Sequence, residues 1–199
     1  TELDLTKTPF TARTILQDLK LKNVMFDWRA PQNLIISERP NNNFLSRVWQ
    51  LDLKTLSFNL LFGEEAGSLI SFSKNRDVGF RFSVKQRLLF FDNAFQNVLL
   101  EDSLMTLPDK CFAEKTLIYC FEPQNISDLT LLMDAYEQKT FFTKDSLFLI
   151  DLQTGNSTVL ISNNDDLVFD GWHPQSMQDK LYFINRIDNA LYELQLKNQ

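Results

Sequence analysis

Few residues in this chain combine a type and a spacing that could do chemistry. Cys111 and Cys120 are one such pair, with eight residues between them in KCFAEKTLIYC. A turn near Glu114-Lys115 would set two antiparallel strands side by side and bring the thiols close to facing one another. A cross-strand disulfide is then geometrically feasible. Two reduced, buried thiols are the second reading, and a metal site with partners elsewhere is the third. A bridge would imply an oxidising, extracytoplasmic setting.

The chain has 1 histidine, His173, which leaves no His-rich metal centre. Neither G-x-S-x-G nor H-E-x-x-H occurs, so no hydrolase nucleophile and no metallopeptidase helix can be named. His173 stands between Trp172 and Pro174 and reads as a polar turn residue. The acidic group Asn163-Asn164-Asp165-Asp166 offers the oxygen ligands that calcium takes. It lacks the alternating Asp pattern and closing Glu of a calcium loop, and reads as a solvated turn. With 5 glycines there is little room for a phosphate-cradling loop. Asn125-Ile126-Ser127 and Asn156-Ser157-Thr158 fit the N-glycosylation pattern, which short motifs meet by chance. The sequence therefore assigns no catalytic residue, no metal and no cofactor, and the expectation is a protein that is not an enzyme.

Bulk properties narrow the partners. The 199 residues carry a formal net charge of −6, with Lys and Arg scattered rather than clustered. A nucleic-acid binder needs a basic surface to neutralise phosphates, so none is expected here. No apolar run approaches the roughly twenty residues that span a bilayer. The chain begins at Thr1 without Met, so a signal, anchor or earlier domain is expected ahead of it. Any membrane association would run through such an anchor. Hydrophobic residues make up 44% of the chain and 18 are Phe, which predicts a sheet-rich core lined with aromatic rings.

The elements that position these residues repeat. VWQLDLKTLSFNLLF at 48–62 and LFLIDLQTGNSTVLI at 147–161 align without a gap. Each reads as two antiparallel strands joined by a tight polar turn, and long-period similarity of this kind marks an array of small sheets. Asp52 and Asp151 fall at matching turn positions, where a carboxylate bonds the turn's own N–H groups. FDWRAPQ at 26–32 resembles FDGWHPQ at 169–175. Strand-length alternating runs between these anchors divide the chain into four units, near 23–62, 68–102, 107–162 and 167–197, each of three or four strands. The fold class is all-β, a β-propeller of four-stranded antiparallel blades. The third unit is interrupted by an insertion at 124–144, where Asp128 is a candidate cap of a helical turn. Leu129, Leu131, Leu132, Met133 and Tyr136 in that insertion either pack back onto the propeller or form an apolar patch for a protein partner. The last unit lacks an outer strand, and residues 12–19 (ARTILQDL) look like one. Four blades closed by this N-terminal strand are one expectation, and a piece of a longer propeller is the other. Residues 1–199 thus read as one propeller domain or a propeller fragment.

The W-x-P or W-x-x-P elements followed by L-x-L-[DE]-L-x-T-G resemble TolB-type and WD-like β-propellers. The likeness is strongest at 169–174, 147–155 and 181–196. TLPDKC at 106–111, IYCFEP at 118–123 and LYFINRIDNALYELQL at 181–196 are similar to membrane-anchored propellers of small candidate-phylum bacteria. The resemblance covers residues 24–197. It implies an extracytoplasmic β-propeller and brings no catalytic residues. The expected function is a non-catalytic module at the cell surface that binds or scaffolds a protein partner by presenting loops on a rigid ring of sheets. Tyr192 departs from it, standing where Trp is common, and so does DAYEQ in the insertion. The alternative function is the propeller domain of a larger, prolyl-oligopeptidase-like hydrolase whose catalytic domain lies outside these residues.

Overall fold

The protein is described from a computed structural model, over residues 2–4, 11–17, 19–21, 23–41, 43–73, 77–85, 87–92, 94–98, 104–124, 126, 134–136, 138–163 and 168–196. Strands dominate the described residues. They are β1 (Glu2–Asp4), β2 (Thr11–Arg13), β3 (Val24–Ala30), β4 (Asn33–Glu38), β5 (Leu45–Asp52), β6 (Ser57–Ala66), β7 (Leu69–Phe72), β8 (Gly79–Phe82) and β9 (Leu89–Phe91). They continue as β10 (Asn97–Val98), β11 (Cys111–Glu114), β12 (Leu117–Pro123), β13 (Asp145–Asp151), β14 (Ser157–Ile161), β15 (Gly171–Met177), β16 (Lys180–Asn185) and β17 (Ala190–Gln195). A 3-10 turn at Pro108–Lys110 leads into β11.

The strands form sequential sheets β3-β4-β5-β6, β7-β8-β9-β10, β11-β12-β13-β14 and β15-β16-β17, with β1-β2 as a separate pair. The chain divides into two compact units, Thr1–Arg39 with Arg47–Gly63, and Pro40–Ser46 with Glu64–Gln199. In the first unit, Ile35, Ile36, Val48 and Leu51 of β4 and β5 are buried. In the second unit, Phe80, Phe82, Leu88 and Phe90 pack with Ile118, Cys120 and Ile150 in one cluster. Phe112, Tyr119, Phe121, Leu147 and Leu149 form another with Phe169, Leu181 and Phe183. The aromatic core anticipated from the Phe content is thus shared by successive sheets.

Two local details explain the packing. Gly171 lies where an added Cβ would stand 2.4 Å from the Phe121 ring, so this position has no room for a side chain. That close approach lets Phe121 meet Phe169 edge-on, with ring centroids 5.5 Å apart. The repeated turns form as the sequence predicts. Asp52 Oδ1 accepts the N–H groups of Lys54 (2.7 Å) and Thr55 (3.0 Å), and Asp151 Oδ1 accepts that of Gln153 (2.9 Å). The turns then need a left-handed residue, supplied by Gly155 (φ 75°) in one copy and by Leu56 (φ 57°) in the other.

The outer strand expected over residues 12–19 is not formed. Strand geometry stops at Arg13, and β2 pairs with β1. Residues 14–17 are irregular, with Ile15 and Leu16 turned instead toward the face of the β3–β5 sheet.

Candidate interaction site

Residues 124–144 connect β12 to β13 and carry the sequence's candidate partner surface. Leu129, Leu131, Leu132 and Met133, and the proposed cap Asp128, lie outside the described residues. Asp134–Ala135–Tyr136 is a helical turn. Tyr136 is buried, so the patch reading does not hold for it: it packs inward, the other outcome anticipated for the insertion.

What holds Tyr136 is a buried charge cluster in the second unit. The Lys110 side chain is 0% exposed, as are those of Asp145 and Asp170. Lys110 Nζ donates to Asp145 Oδ2 at 2.5 Å, to Asp170 Oδ1 at 2.6 Å and to Thr143 Oγ1 at 2.8 Å. The Gly171 carbonyl lies 3.3 Å away. Asp170 is saturated from both sides. Its Oδ1 also accepts the Tyr136 hydroxyl at 3.0 Å, and its Oδ2 accepts the Thr143 N–H at 3.1 Å and Arg186 Nη1 at 3.3 Å. Asp145 Oδ2 further accepts the Gly171 N–H at 2.8 Å. Arg186 lies over the Tyr136 ring, 3.4 Å from its centroid, and its Nη2 donates to the Tyr136 carbonyl at 2.6 Å.

Two cations thus balance two carboxylates. A buried charge costs several kcal/mol unless it is paired and its hydrogen bonds are satisfied, and here nearly every donor has a partner. Burial pushes the Asp145 carboxyl above the usual carboxylate range, Lys110 pulls it back, and Asp170 pushes it up again. Burial and the adjacent Asp170 charge push the Tyr136 hydroxyl up, so it stays a neutral donor. The cluster joins five elements: the Pro108–Lys110 turn, the Tyr136 turn, the start of β13, the entry to β15 and the exit of β16. Its members pair with one another, and within the cluster Asp145 Oδ1 is left buried without a hydrogen-bond partner.

Three large apolar residues that flank this cluster in sequence are exposed. Phe142 precedes Thr143, Val168 stands two before Asp170, and Ile187 follows Arg186, and these are 44%, 38% and 45% exposed. Because Gly171 pairs with Asn185 at the head of the β15–β16 hairpin, Val168 and Ile187 lie at the same end of that sheet. The Arg186 guanidinium is 5.7 Å from the Phe142 ring, which puts Phe142 there too. The result is three large apolar side chains displayed from a base of buried ion pairs.

The remaining described candidate residues also belong to the second unit. Cys111 and Cys120 are direct antiparallel partners in β11 and β12, with Cα atoms 4.2 Å apart, and they form a disulfide. His173 sits at a bulge in β15 with φ 49°, exposed, its ring 4.0 Å from that of Trp172. Burial pushes the neighbouring Asp109 carboxyl up, opposed by the charge of His173. Asn164, Asp165 and Asp166 lie outside the described residues, while the Asn163 N–H donates to Ser146 Oγ at 3.2 Å. Among the described residues no group of three His, Cys, Asp or Glu is placed to hold a metal, and no helix is long and apolar enough to cross a membrane.

Sequence reasoning missed the cluster. Its one legible trace is Phe169-Asp170, which repeats Phe26-Asp27 in the first unit. Nothing in the spacing links Lys110 to an aspartate 60 residues later.

No protein-family model matches the chain, and no curated protein matches it. Solved structures do. The computationally designed Ika4 protein superposes with a TM-score of 0.55 at 10% identity, over 94% of this chain and 100% of Ika4. The β-propeller domain of the Trilobed protease from Pyrococcus furiosus gives 0.53 at 14%, over 88% of this chain and 56% of that one. The tricorn protease gives 0.52 at 7%, over 81% and 15%. The chain spans about half of the second and a small part of the third. At such identities the likeness concerns the fold, and it agrees with the sheet order: this chain has the fold of a β-propeller.

Proposed function

We propose that this propeller is a non-catalytic protein-binding or scaffolding module that acts outside the cytoplasm, on the cell surface. The observation that carries the reading is Phe142, Val168 and Ile187, held exposed at one sheet end by the buried cluster behind them. Large exposed apolar side chains on a well-ordered base are what partner proteins bind, and pre-ordering the base lowers the entropic cost of binding. The Cys111–Cys120 disulfide supports an oxidising compartment, as does the likeness to membrane-anchored bacterial propellers. A photo-crosslinking residue placed at 142 or 187 should capture one discrete protein from an envelope fraction. The same residue at Met177, exposed at the opposite end of β15, should not. Equal capture at all three positions, or none, would overturn the reading.

A second reading is a propeller domain within a larger hydrolase. It is favoured by the two similar structures named as proteases, of whose chains this one covers only 56% and 15%. A nucleophile-elbow motif in the full-length open reading frame would decide for it.

A further inference from the structure

The two carboxylates of the buried cluster are not equivalent. Asp170 is loaded on both oxygens: Oδ1 accepts from Lys110 Nζ and the Tyr136 hydroxyl, and Oδ2 from the Thr143 N–H and Arg186 Nη1. Asp145 is loaded on one. Its Oδ2 accepts from Lys110 Nζ at 2.5 Å and from the Gly171 N–H at 2.8 Å, while Oδ1 is buried with no hydrogen-bond partner. A buried carboxylate oxygen without a donor is costly, and protonating the group removes its charge. Burial, opposed by Lys110, raises the Asp145 carboxyl above the ordinary carboxylate range. An amine nitrogen therefore stands against a buried carboxyl group with one unheld oxygen, and a second carboxylate touches the same nitrogen from the other side at 2.6 Å.

We propose that Lys110 and Asp145 condense into an intramolecular isopeptide bond, with Asp170 carrying the proton. The ion pair described above is the starting state. Moving one proton from Lys110 to Asp145 across their 2.5 Å contact gives an amine and a carboxylic acid, the neutral pair that a site 0% exposed to water favours. The amine attacks the Asp145 carboxyl carbon, and the charge that develops on Oδ2 is stabilised by the Gly171 N–H already bonded there. Asp170 Oδ1 takes a proton from the attacking nitrogen and passes it to the Oδ1 hydroxyl of Asp145, which no other group holds and which departs as water. The C–N bond forms, the C–Oδ1 bond breaks, one water is released, and no oxidant, cofactor or net proton is needed. Holding both reactants in contact supplies the high effective concentration that amide formation lacks in open water. The Tyr136 ring, 5.0 Å from Nζ, walls the site, and exclusion of water protects the product from hydrolysis. Asp170 stays paired with Arg186 after closure.

The bond ties the end of the Pro108–Lys110 turn to the first residue of β13, across a sequence separation of 35 that contains β11, β12 and the 124–144 insertion. With the Cys111–Cys120 disulfide beside it, the third sheet carries two covalent links.

Intact-mass spectrometry of the purified chain, with its disulfide reduced and alkylated, should read one water below the mass expected from the sequence. A digest should contain a branched peptide joining Lys110 to Asp145. Lys110→Met should carry its full mass, and Asp170→Asn, which keeps both bonding residues, should form the link about a hundredfold more slowly. A full sequence mass in the folded wild type overturns the proposal, whatever the variants do. So does a lost water that persists in Lys110→Met, or one that maps to Asp170-Gly171 and is cleaved by hydroxylamine, because cyclisation of an Asp-Gly peptide loses the same mass.

Discussion

Replacing Lys110 with Met tests the cluster most sharply, because it removes the charge and keeps the stem. Lys110 Nζ makes three hydrogen bonds of 2.5–2.8 Å, two of them to carboxylates that are 0% exposed. Without it, Asp145 and Asp170 face one another with Arg186 as the remaining cation, and Arg186 touches Asp170 only at 3.3 Å. Removing one partner of a buried pair costs about 3–5 kcal/mol, and two carboxylates are left here, which puts Lys110→Met toward the upper end. For a domain of this size each kcal/mol moves Tm by roughly 2–4 °C, so a loss of about 6–20 °C is expected in a thermal melt. Lys180→Met is the control. Its partner Glu193 is at the same 2.7 Å range, yet both side chains are substantially exposed, and its melt should match wild type. A Lys110→Met protein that melts with wild type would refute the reasoning, showing that the carboxylates take up protons at no cost or find water.

Asp145 gives a pH signature. Its carboxyl is raised by burial and by Asp170, so the folded chain holds that proton more tightly than the unfolded chain. The contribution therefore favours folding below the ordinary value of 3.8 and is lost as pH rises through the raised value. Urea midpoints of wild type should fall relative to those of Asp145→Asn as pH climbs above 3.8; a relative rise would contradict the assignment. Gly171→Ala places a methyl 2.4 Å from the Phe121 ring and should cost about 1–3 kcal/mol in chemical denaturation, with near-ultraviolet dichroism altered by the displaced ring. Replacing Cys111 and Cys120 together by Ala opens a loop of sequence separation 9 and should cost about 2–3 kcal/mol. Two alkylatable thiols in the unreduced wild-type protein would remove the bridge from the account.

The legible part of the fold was local. The alternation of Phe80 and Phe82 with Arg81 in β8 and the Asp-anchored turns at Asp52 and Asp151 are written in neighbouring residues, so the sheets and their order could be read directly. Cys111 and Cys120 could be placed opposite because a single hairpin separates them. The cluster could not be read, since Lys110, Asp145, Asp170 and Arg186 meet only once two sheets are packed. For Tyr136 the sequence left packing and a surface patch both open, and only the packed structure, with Arg186 over its ring, decides for packing. Residues 12–19 carry a strand's pattern, but a strand needs a neighbour to hydrogen-bond, and the pattern alone did not supply one.

The central claim is that the buried cluster holds the insertion turn as a fixed base for the exposed apolar groups. Native-state hydrogen exchange measures this directly at Lys139, Thr140 and Thr143, whose amides donate to Tyr136 O, Ala135 O and Asp170 Oδ2. These amides should be protected in wild type and should lose protection selectively in Lys110→Met, at denaturant concentrations where β12 and β13 stay protected. Exchange in wild type as fast as in an open loop, or loss of protection across β12 and β13 together with the turn, would contradict the account.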